Sequence, residues 1–108
     1  MFLVARSADE VLGCGGLRRH AEGVGEIKRM YVRAVARRTG VARTLLAAVE
    51  DHARSLGYAR LILETGEKQP EAIALYVATG YEAIEPYGLY KDSPMSRCFA
   101  KDLEHRTL

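Results

Sequence analysis

The sequence has few cysteines and histidines, and their spacing excludes the usual metal and redox motifs. Cys14 and Cys98 are its two cysteines, and they form neither a Cys-x-x-Cys pair nor a combined Cys/His ligand set. The three histidines, His20, His52 and His105, are equally scattered. We therefore expect free, buried thiols in a reducing compartment, and we predict no metal site.

Long apolar runs are also missing. No apolar segment approaches the roughly 20 residues of a membrane span, and the opening Met-Phe-Leu-Val-Ala-Arg is too short for a signal peptide. The formal net charge is only +2 over 108 residues, which argues against a protein that wraps nucleic acid. We expect a cytoplasmic protein without membrane or nucleic-acid partners, folded as one domain over residues 1–108.

Strand and helix patterns follow one another in the order βββαβαββ. The clearest helix is Ala42–Leu56, whose apolar residues, Leu56 included, recur every three or four positions as one stripe. Its charged residues, Glu50 among them, are expected on the solvent side. The other predicted elements are strands at Phe2–Arg6, Val11–Arg19, Gly25–Val32, Tyr58–Thr65, Tyr81–Ile84 and Ser96–Leu103, and a helix at Pro70–Thr79. This order predicts the α/β class: a single mixed sheet of about six strands with two main helices, including one strand–helix–strand crossover with parallel strands.

Acidic residues are absent from one window, Ile27–Val49, which holds six basic residues. Within it, the run Arg37-Arg38-Thr39-Gly40-Val41-Ala42-Arg43 joins a predicted strand to the long helix. Basic side chains at a helix N-terminus oppose the helix dipole, and the first N–H groups there lack partners within the helix. Gly40 and Ala42 would let an anion approach the main chain. The run predicts a phosphate or pyrophosphate site; the alternative is a set of solvated arginines before a helix.

The same run resembles a family motif. Arg37-Arg38-Thr39-Gly40-Val41-Ala42 is similar to the Arg/Gln-x-x-Gly-x-Gly/Ala signature of the GNAT superfamily of N-acetyltransferases. Leu75-Tyr76, followed by Gly80-Tyr81, is similar to the second landmark of that family. The likeness covers Val24–Leu103. It implies the GNAT fold, a cleft between two splayed parallel strands, and acetyl-CoA as cosubstrate.

The resemblance also implies roles for particular residues. Acetyl-CoA would lie against Met30, Tyr31, Val32, Arg37, Arg38, Thr39, Gly40, Val41, Ala42 and Arg43. The backbone N–H of Val32 would polarise the thioester carbonyl. Tyr76 would act as general acid toward the leaving thiolate. The alternative for Tyr76 is a core residue on an apolar helix face, with its hydroxyl bonded nearby.

Glu26 is the candidate general base, because a protonated amine must lose a proton before it can attack. It precedes Arg37 by eleven residues, the spacing of the basic glutamate in the histone-acetylating branch of the superfamily. The alternative is an exposed glutamate paired with Lys28. The loop Tyr87-Gly88-Leu89-Tyr90 is a candidate part of the acceptor site, but no residue identifies the acceptor.

The N-terminal part departs from the family pattern, in which a strand and two helices precede the first hairpin. We therefore expect either an open acceptor site or a wall supplied by a second subunit, and we predict a homodimer that relieves an uncovered sheet edge. The predicted function is direct acetyl transfer from acetyl-CoA to an amine of a small-molecule or protein acceptor in a ternary complex. The alternative is a non-catalytic, acetyl-CoA-binding regulatory module.

Overall fold

Six strands and two helices follow one another in the predicted order βββαβαββ. The computed structural model describes residues 1–7, 10–33, 36–37, 40–66, 70–88 and 96–103. Within these residues the strands are β1 (Phe2–Ser7), β2 (Glu10–Ala21), β3 (Val24–Val32), β4 (Arg60–Gly66), β5 (Glu82–Ile84) and β6 (Ser96–Asp102), and the helices are α1 (Val41–Ser55) and α2 (Pro70–Ala78). The predicted α/β class is confirmed.

The sheet is mixed, with the strand order β1-β2-β3-β4-β6-β5. Strands β1, β2 and β3 form an antiparallel meander, and β4, β6 and β5 are also antiparallel neighbours. Strands β3 and β4 join the two halves and run parallel, because α1 carries the chain back to the end of the sheet where β3 began. Leu61, Ile62 and Leu63 of β4 are all buried, as expected for a strand covered on both faces.

Both helices pack on one face of the sheet. Leu46 and Val49 of α1 and Tyr76 of α2 share one core with Ile27 of β3 and Leu63 of β4. Because side chains alternate along a strand, the sequence neighbours of these strand residues point to the opposite face. No described helix packs on that opposite face, which we call the open face.

Two residues near the end of α1 differ from the expectation. Leu56, which the apolar spacing assigns to the stripe, is 55% exposed, because α1 ends at Ser55 and the chain turns away at Gly57 with φ +85°. The expected solvent position of Glu50 is wrong. Glu50 is only 7% exposed, because its place one turn after Leu46 turns it inward, where Tyr81 and Lys101 bond its carboxylate.

Strands β3 and β4 separate part of the way along the sheet. Their pairing runs from Val24–Arg60 to Ile27–Leu63, although β3 continues to Val32. Just beyond the last pair, the register between β2 and β3 shifts by one residue, and Arg29 adopts the left-handed φ of 53°. An extra residue in one strand bends it and increases its twist. This bulge in β3 opens a cleft between the two parallel strands.

Candidate active site

A cavity of about 680 Å³ lies beside the end of β3. This size lies within the roughly 300–1,000 Å³ of small-molecule sites. The end of β3 supplies one wall, the start of α1 a second, and α2 a third. The lining residues are Met30, Tyr31, Val32, Arg37, Gly40, Ala42, Arg43, Pro70, Glu71, Ala72, Ala74, Leu75 and Tyr76.

The N-terminus of α1 meets the cavity at Gly40. Gly40 occupies the N-cap position with φ +87°, a conformation that L side chains rarely adopt, and no side chain of the described residues bonds the first N–H groups of the helix. The first turn contains no acidic residue, whereas Arg37 and Arg43 line the cavity on either side of Gly40. Free N–H groups, the positive end of the helix dipole and two guanidinium groups together suit an anionic ligand.

The end of β3 presents a backbone donor to the same cavity. The N–H of Arg33 donates to the carbonyl of Leu12 on β2 at 2.8 Å. Because successive N–H groups of a strand point to opposite edges, the N–H of Val32 points away from β2 and toward the cleft. The carbonyl of Val32 points the same way and accepts a hydrogen bond from Nε of Arg37 at 3.2 Å. This bond fixes Arg37 beside the strand end.

Tyr76 combines a core ring with a hydroxyl that reaches the cavity. The residue is 4% exposed, and its ring packs against Tyr81, with 5.5 Å between centroids, and against Phe99 at 6.3 Å. Its hydroxyl bonds no residue in the described ranges, and those ranges contain no buried side-chain N or O atom without a partner. The hydroxyl therefore retains access to the cavity that Tyr76 lines. Burial raises the pKa of Tyr76 to about 12, so the group stays protonated at neutral pH.

Glu26 lies on the open face and does not line the cavity. It is 2% exposed, and its carboxylate accepts from Nε of Arg18 at 3.2 Å, from Nζ of Lys28 at 3.0 Å and from the hydroxyl of Tyr87 at 3.0 Å. Burial by itself raises the pKa of this carboxyl, but the hydrogen bonds from Lys28 and Tyr87 and the two neighbouring cations outweigh it. The net effect holds the pKa of Glu26 below its usual value, so the group is ionised at neutral pH.

The structure brings most of the predicted cofactor residues together. Met30, Tyr31, Val32, Arg37, Gly40, Ala42 and Arg43 line one cavity, together with Tyr76. Val41 belongs to the same helix turn but is not among the lining residues. Arg38 and Thr39 lie outside the described residues, as do Leu89 and Tyr90 of the predicted acceptor loop. The expected pairing of Glu26 with Lys28 is present, although Glu26 is buried rather than exposed.

Several cavity residues of α2, and Arg18 as a partner of Glu26, were not singled out from the sequence. Pro70, Glu71, Ala72 and Ala74 line the cavity together with Leu75 and Tyr76. Ala72 lies one helical turn before Tyr76, and this four-residue spacing was a signal that could have found it. Arg18 carries no comparable signal, because its contact with Glu26 depends on the β2–β3 register.

The described residues contain no cluster of three or more metal-binding side chains. None of their helices has the length and apolar content to cross a bilayer. Cys14 is a half-buried free thiol and Cys98 a buried one, and neither lines the cavity.

Comparison with known proteins gives one consistent family. The model of the acetyltransferase (GNAT) family matches residues 1–81. An IAA acetyltransferase of Azospirillum brasilense is 44% identical over 103 residues, which are 94% of this chain and 67% of that protein. A Klebsiella pneumoniae protein assigned as an acyl-CoA N-acyltransferase superimposes with a TM-score of 0.90 at 38% identity, over 95% of this chain and 72% of that one.

A further structural neighbour carries the family's acetyl donor. It is a GNAT acetyltransferase of Elizabethkingia anophelis with acetyl-CoA bound. It superimposes with a TM-score of 0.81 at 21% identity, over 94% of this chain and 75% of that one. At this identity the likeness establishes the shared fold.

Proposed function

Because the chain belongs to the acetyltransferase (GNAT) family, we propose that it transfers an acetyl group from acetyl-CoA to an amine of its acceptor by direct attack in a ternary complex. The observation that carries this proposal is the cavity between the end of β3, the start of α1 and α2. The helix N-terminus at Gly40, with Arg37 and Arg43 on either side, lies at one part of it and the hydroxyl of Tyr76 at another. The proposal includes an amine as the acceptor group and a cytoplasmic location for the protein.

The charge of the cavity residues suits the pyrophosphate of acetyl-CoA. The N–H groups that follow Gly40 would bind the pyrophosphate, with Arg37 and Arg43 supplying positive charge. Met30, Tyr31 and Val32 would lie along the pantetheine arm. Bound acetyl-CoA supplies an activated thioester, whose C–S bond breaks as the C–N bond to the amine forms.

Two groups of the chain would act at the reacting carbonyl. The N–H of Val32 points toward the cleft and would donate to the carbonyl oxygen as negative charge develops there. The hydroxyl of Tyr76 would donate to the departing sulfur. Its pKa of about 12 keeps the hydroxyl protonated, so it is available as a donor throughout the neutral range.

The acceptor amine must lose a proton, and Glu26 is our candidate to receive it. Glu26 is ionised, which a base requires, and it lies on the open face, one residue before the last pairing step between β3 and β4. Tyr87, which bonds its carboxylate, would then lie beside the acceptor. A cysteine nucleophile is not part of this proposal, since neither cysteine lines the cavity.

The test is a calorimetric titration of acetyl-CoA into the parent protein and into two matched variants, Gly40→Asn and Gly40→Asp. Both side chains tolerate the left-handed conformation comparatively well, and a Cβ at Gly40 meets nothing within 4 Å. The variants therefore differ mainly in charge. We expect Gly40→Asp to bind acetyl-CoA about tenfold more weakly than Gly40→Asn, which corresponds to ~1.4 kcal/mol of repulsion.

The outcomes separate the possible functions. Equal affinity in the two variants, or no binding by the parent, contradicts the proposed cofactor site. Binding of acetyl-CoA without release of CoA, across a broad panel of amines and peptides, contradicts the enzyme and favours the regulatory module.

A further inference from the structure

A buried polar cluster lies behind Tyr76, on the helix-covered side of the sheet. The hydroxyl of Tyr81 donates to Oε2 of Glu50 at 2.8 Å, and Nζ of Lys101 donates to both carboxylate oxygens at 3.1 and 3.2 Å. Nζ of Lys101 also lies 5.5 Å from the centroid of the Tyr81 ring. None of these three residues lines the cavity, so the proposed reaction does not use them directly.

The cluster connects three elements that are distant in the sequence. Glu50 lies in α1, Lys101 in β6, and Tyr81 in the short connection between α2 and β5. Removing a carboxylate from water is costly unless its partners are well placed. Glu50 has such partners in a cation and a phenol. Burial and the charge of Glu50 raise the pKa of Tyr81 far above its usual value, so its hydroxyl remains a donor.

Tyr81 is in turn the residue that holds Tyr76. Its backbone N–H donates to the carbonyl of Tyr76 at 2.9 Å, and the two rings meet edge to face at 5.5 Å and 65°. Tyr76 has no hydrogen bond of its own through its hydroxyl within the described chain. Packing alone therefore sets the position of that hydroxyl in the cavity, and packing is less directional than hydrogen bonding.

We propose that Glu50 and Tyr81 are positioning residues, which fix the ring of Tyr76 so that its hydroxyl stays at the reacting end of the cavity. The carboxylate of Glu50 gives Tyr81 a directional hydrogen bond, whereas the hydroxyl of Tyr76 has none within the described chain. Lys101 keeps the carboxylate of Glu50 in place. The inference rests on the proposed function, in which Tyr76 donates to the departing sulfur. Neither Glu50 nor Tyr81 touches the substrates in this account.

A double-mutant cycle tests the proposal. Tyr81→Phe keeps the aromatic ring and the backbone but removes the hydrogen bond to Glu50. Glu50 keeps its bond to Lys101 in this variant. A displacement of about 1 Å at a catalytic group can cost on the order of 100-fold in rate, so we expect Tyr81→Phe to lower kcat about tenfold. KM for acetyl-CoA should stay within about twofold, since the residues proposed to bind the pyrophosphate are unchanged. In a Tyr76→Phe background, Tyr81→Phe should lower kcat no further.

Two further variants separate positioning from a general loss of structure. Tyr58→Phe makes the same chemical change in a half-buried tyrosine packed on the core and should leave kcat unchanged. Glu50→Gln keeps an oxygen that can accept from Tyr81 and should retain more activity than Tyr81→Phe. Additive losses in the cycle, or an equal loss in Tyr58→Phe, overturn the proposal.

A spectroscopic measurement tests the positioning independently of turnover. If Tyr76→Phe alone leaves kcat unchanged, the donor role of Tyr76 fails. The positioning is then read from the NMR signals of ¹³C-labelled tyrosine. We expect Tyr81→Phe to shift the ring signals of Tyr76 and to speed its ring flips. Unchanged signals would overturn the inference whatever the activity.

Discussion

At the residue scale, the charge of Glu26 depends on a residue that is distant in the chain. The hydroxyl of Tyr87 donates to the carboxylate of Glu26 at 3.0 Å, across 61 positions of the sequence. No spacing rule connects residues so far apart, so this contact could not be predicted. The N-cap position of Gly40 could be predicted, because glycine, arginines and a helix start are adjacent in the chain.

The bond from Tyr87 to Glu26 gives a pH-dependent prediction. A carboxyl whose pKa is lowered by folding stabilises the folded state above its unfolded pKa, and this contribution is lost as the pH falls through the folded pKa. Tyr87→Phe removes one of the hydrogen bonds that lower the pKa of Glu26. We expect the variant to lose about 1 kcal/mol of unfolding free energy at neutral pH and to begin acid unfolding at a higher pH.

Urea unfolding of both proteins at several pH values measures this effect. The difference between them should shrink as the pH falls through the folded-state pKa of Glu26, which lies below the usual value of a glutamate. In a Glu26→Gln background the same substitution should give a difference that does not depend on pH. A difference that is constant with pH in the parent background would show that Tyr87 acts on something other than the charge of Glu26.

At the scale of elements, the apolar spacing of helix α1 predicts most of its buried side but not the position of Glu50. The spacing of its apolar residues predicted the helix and its buried side. The same spacing places Glu50 inward, but its charge favoured a solvent position. Glu50 can lie inward because Tyr81 and Lys101 donate hydrogen bonds to its carboxylate. These residues are 31 and 51 positions further along the chain.

Two leucines of the predicted apolar stripe should contribute differently to the free energy of unfolding. Leu46 is 1% exposed and Leu56 is 55% exposed. We expect Leu46→Ala to lower the free energy of unfolding by about 2–5 kcal/mol, because it leaves a cavity in the core. The matched change Leu56→Ala should stay within about 0.5 kcal/mol of the parent. Equal losses in denaturant unfolding would mean that Leu56 packs against something in solution.

At the scale of the whole molecule, the strand order was only partly predictable. The strand–helix–strand unit predicted that β3 and β4 are parallel, and the pairing confirms it. The insertion of β6 between β4 and β5 joins residues far apart in the chain. Such pairing depends on which strands become neighbours and in which register, and local sequence patterns do not determine either.

The predicted homodimer is our proposal for the exposed edge of this sheet. Strand β1 is an outer strand, and its Phe2 and Val4 are 55% and 41% exposed. An apolar edge strand favours association with another strand. We expect light scattering at tens of micromolar to give twice the mass of one chain, and we expect Val4→Lys to give the monomer.

A change of the same kind elsewhere on the surface is the control. Val77 on α2 is 58% exposed, and Val77→Lys should leave the dimer intact. A strictly monomeric parent protein, or dissociation by both variants alike, would count against association through β1.

The bulge in β3 is a difference of one residue between neighbouring strands. The stretch from Lys28 to Tyr31 faces Gly16 to Cys14, so β3 has one residue more than β2 over the same length of the sheet. Without that residue, β3 would continue straight past Ile27, and the unpaired end of β4 would find it as a neighbour. The two parallel strands would then stay paired beyond Ile27–Leu63, and the gap between them would close. The separation of β3 from β4 therefore depends on a single extra residue, and deleting one residue between Lys28 and Tyr31 should remove it.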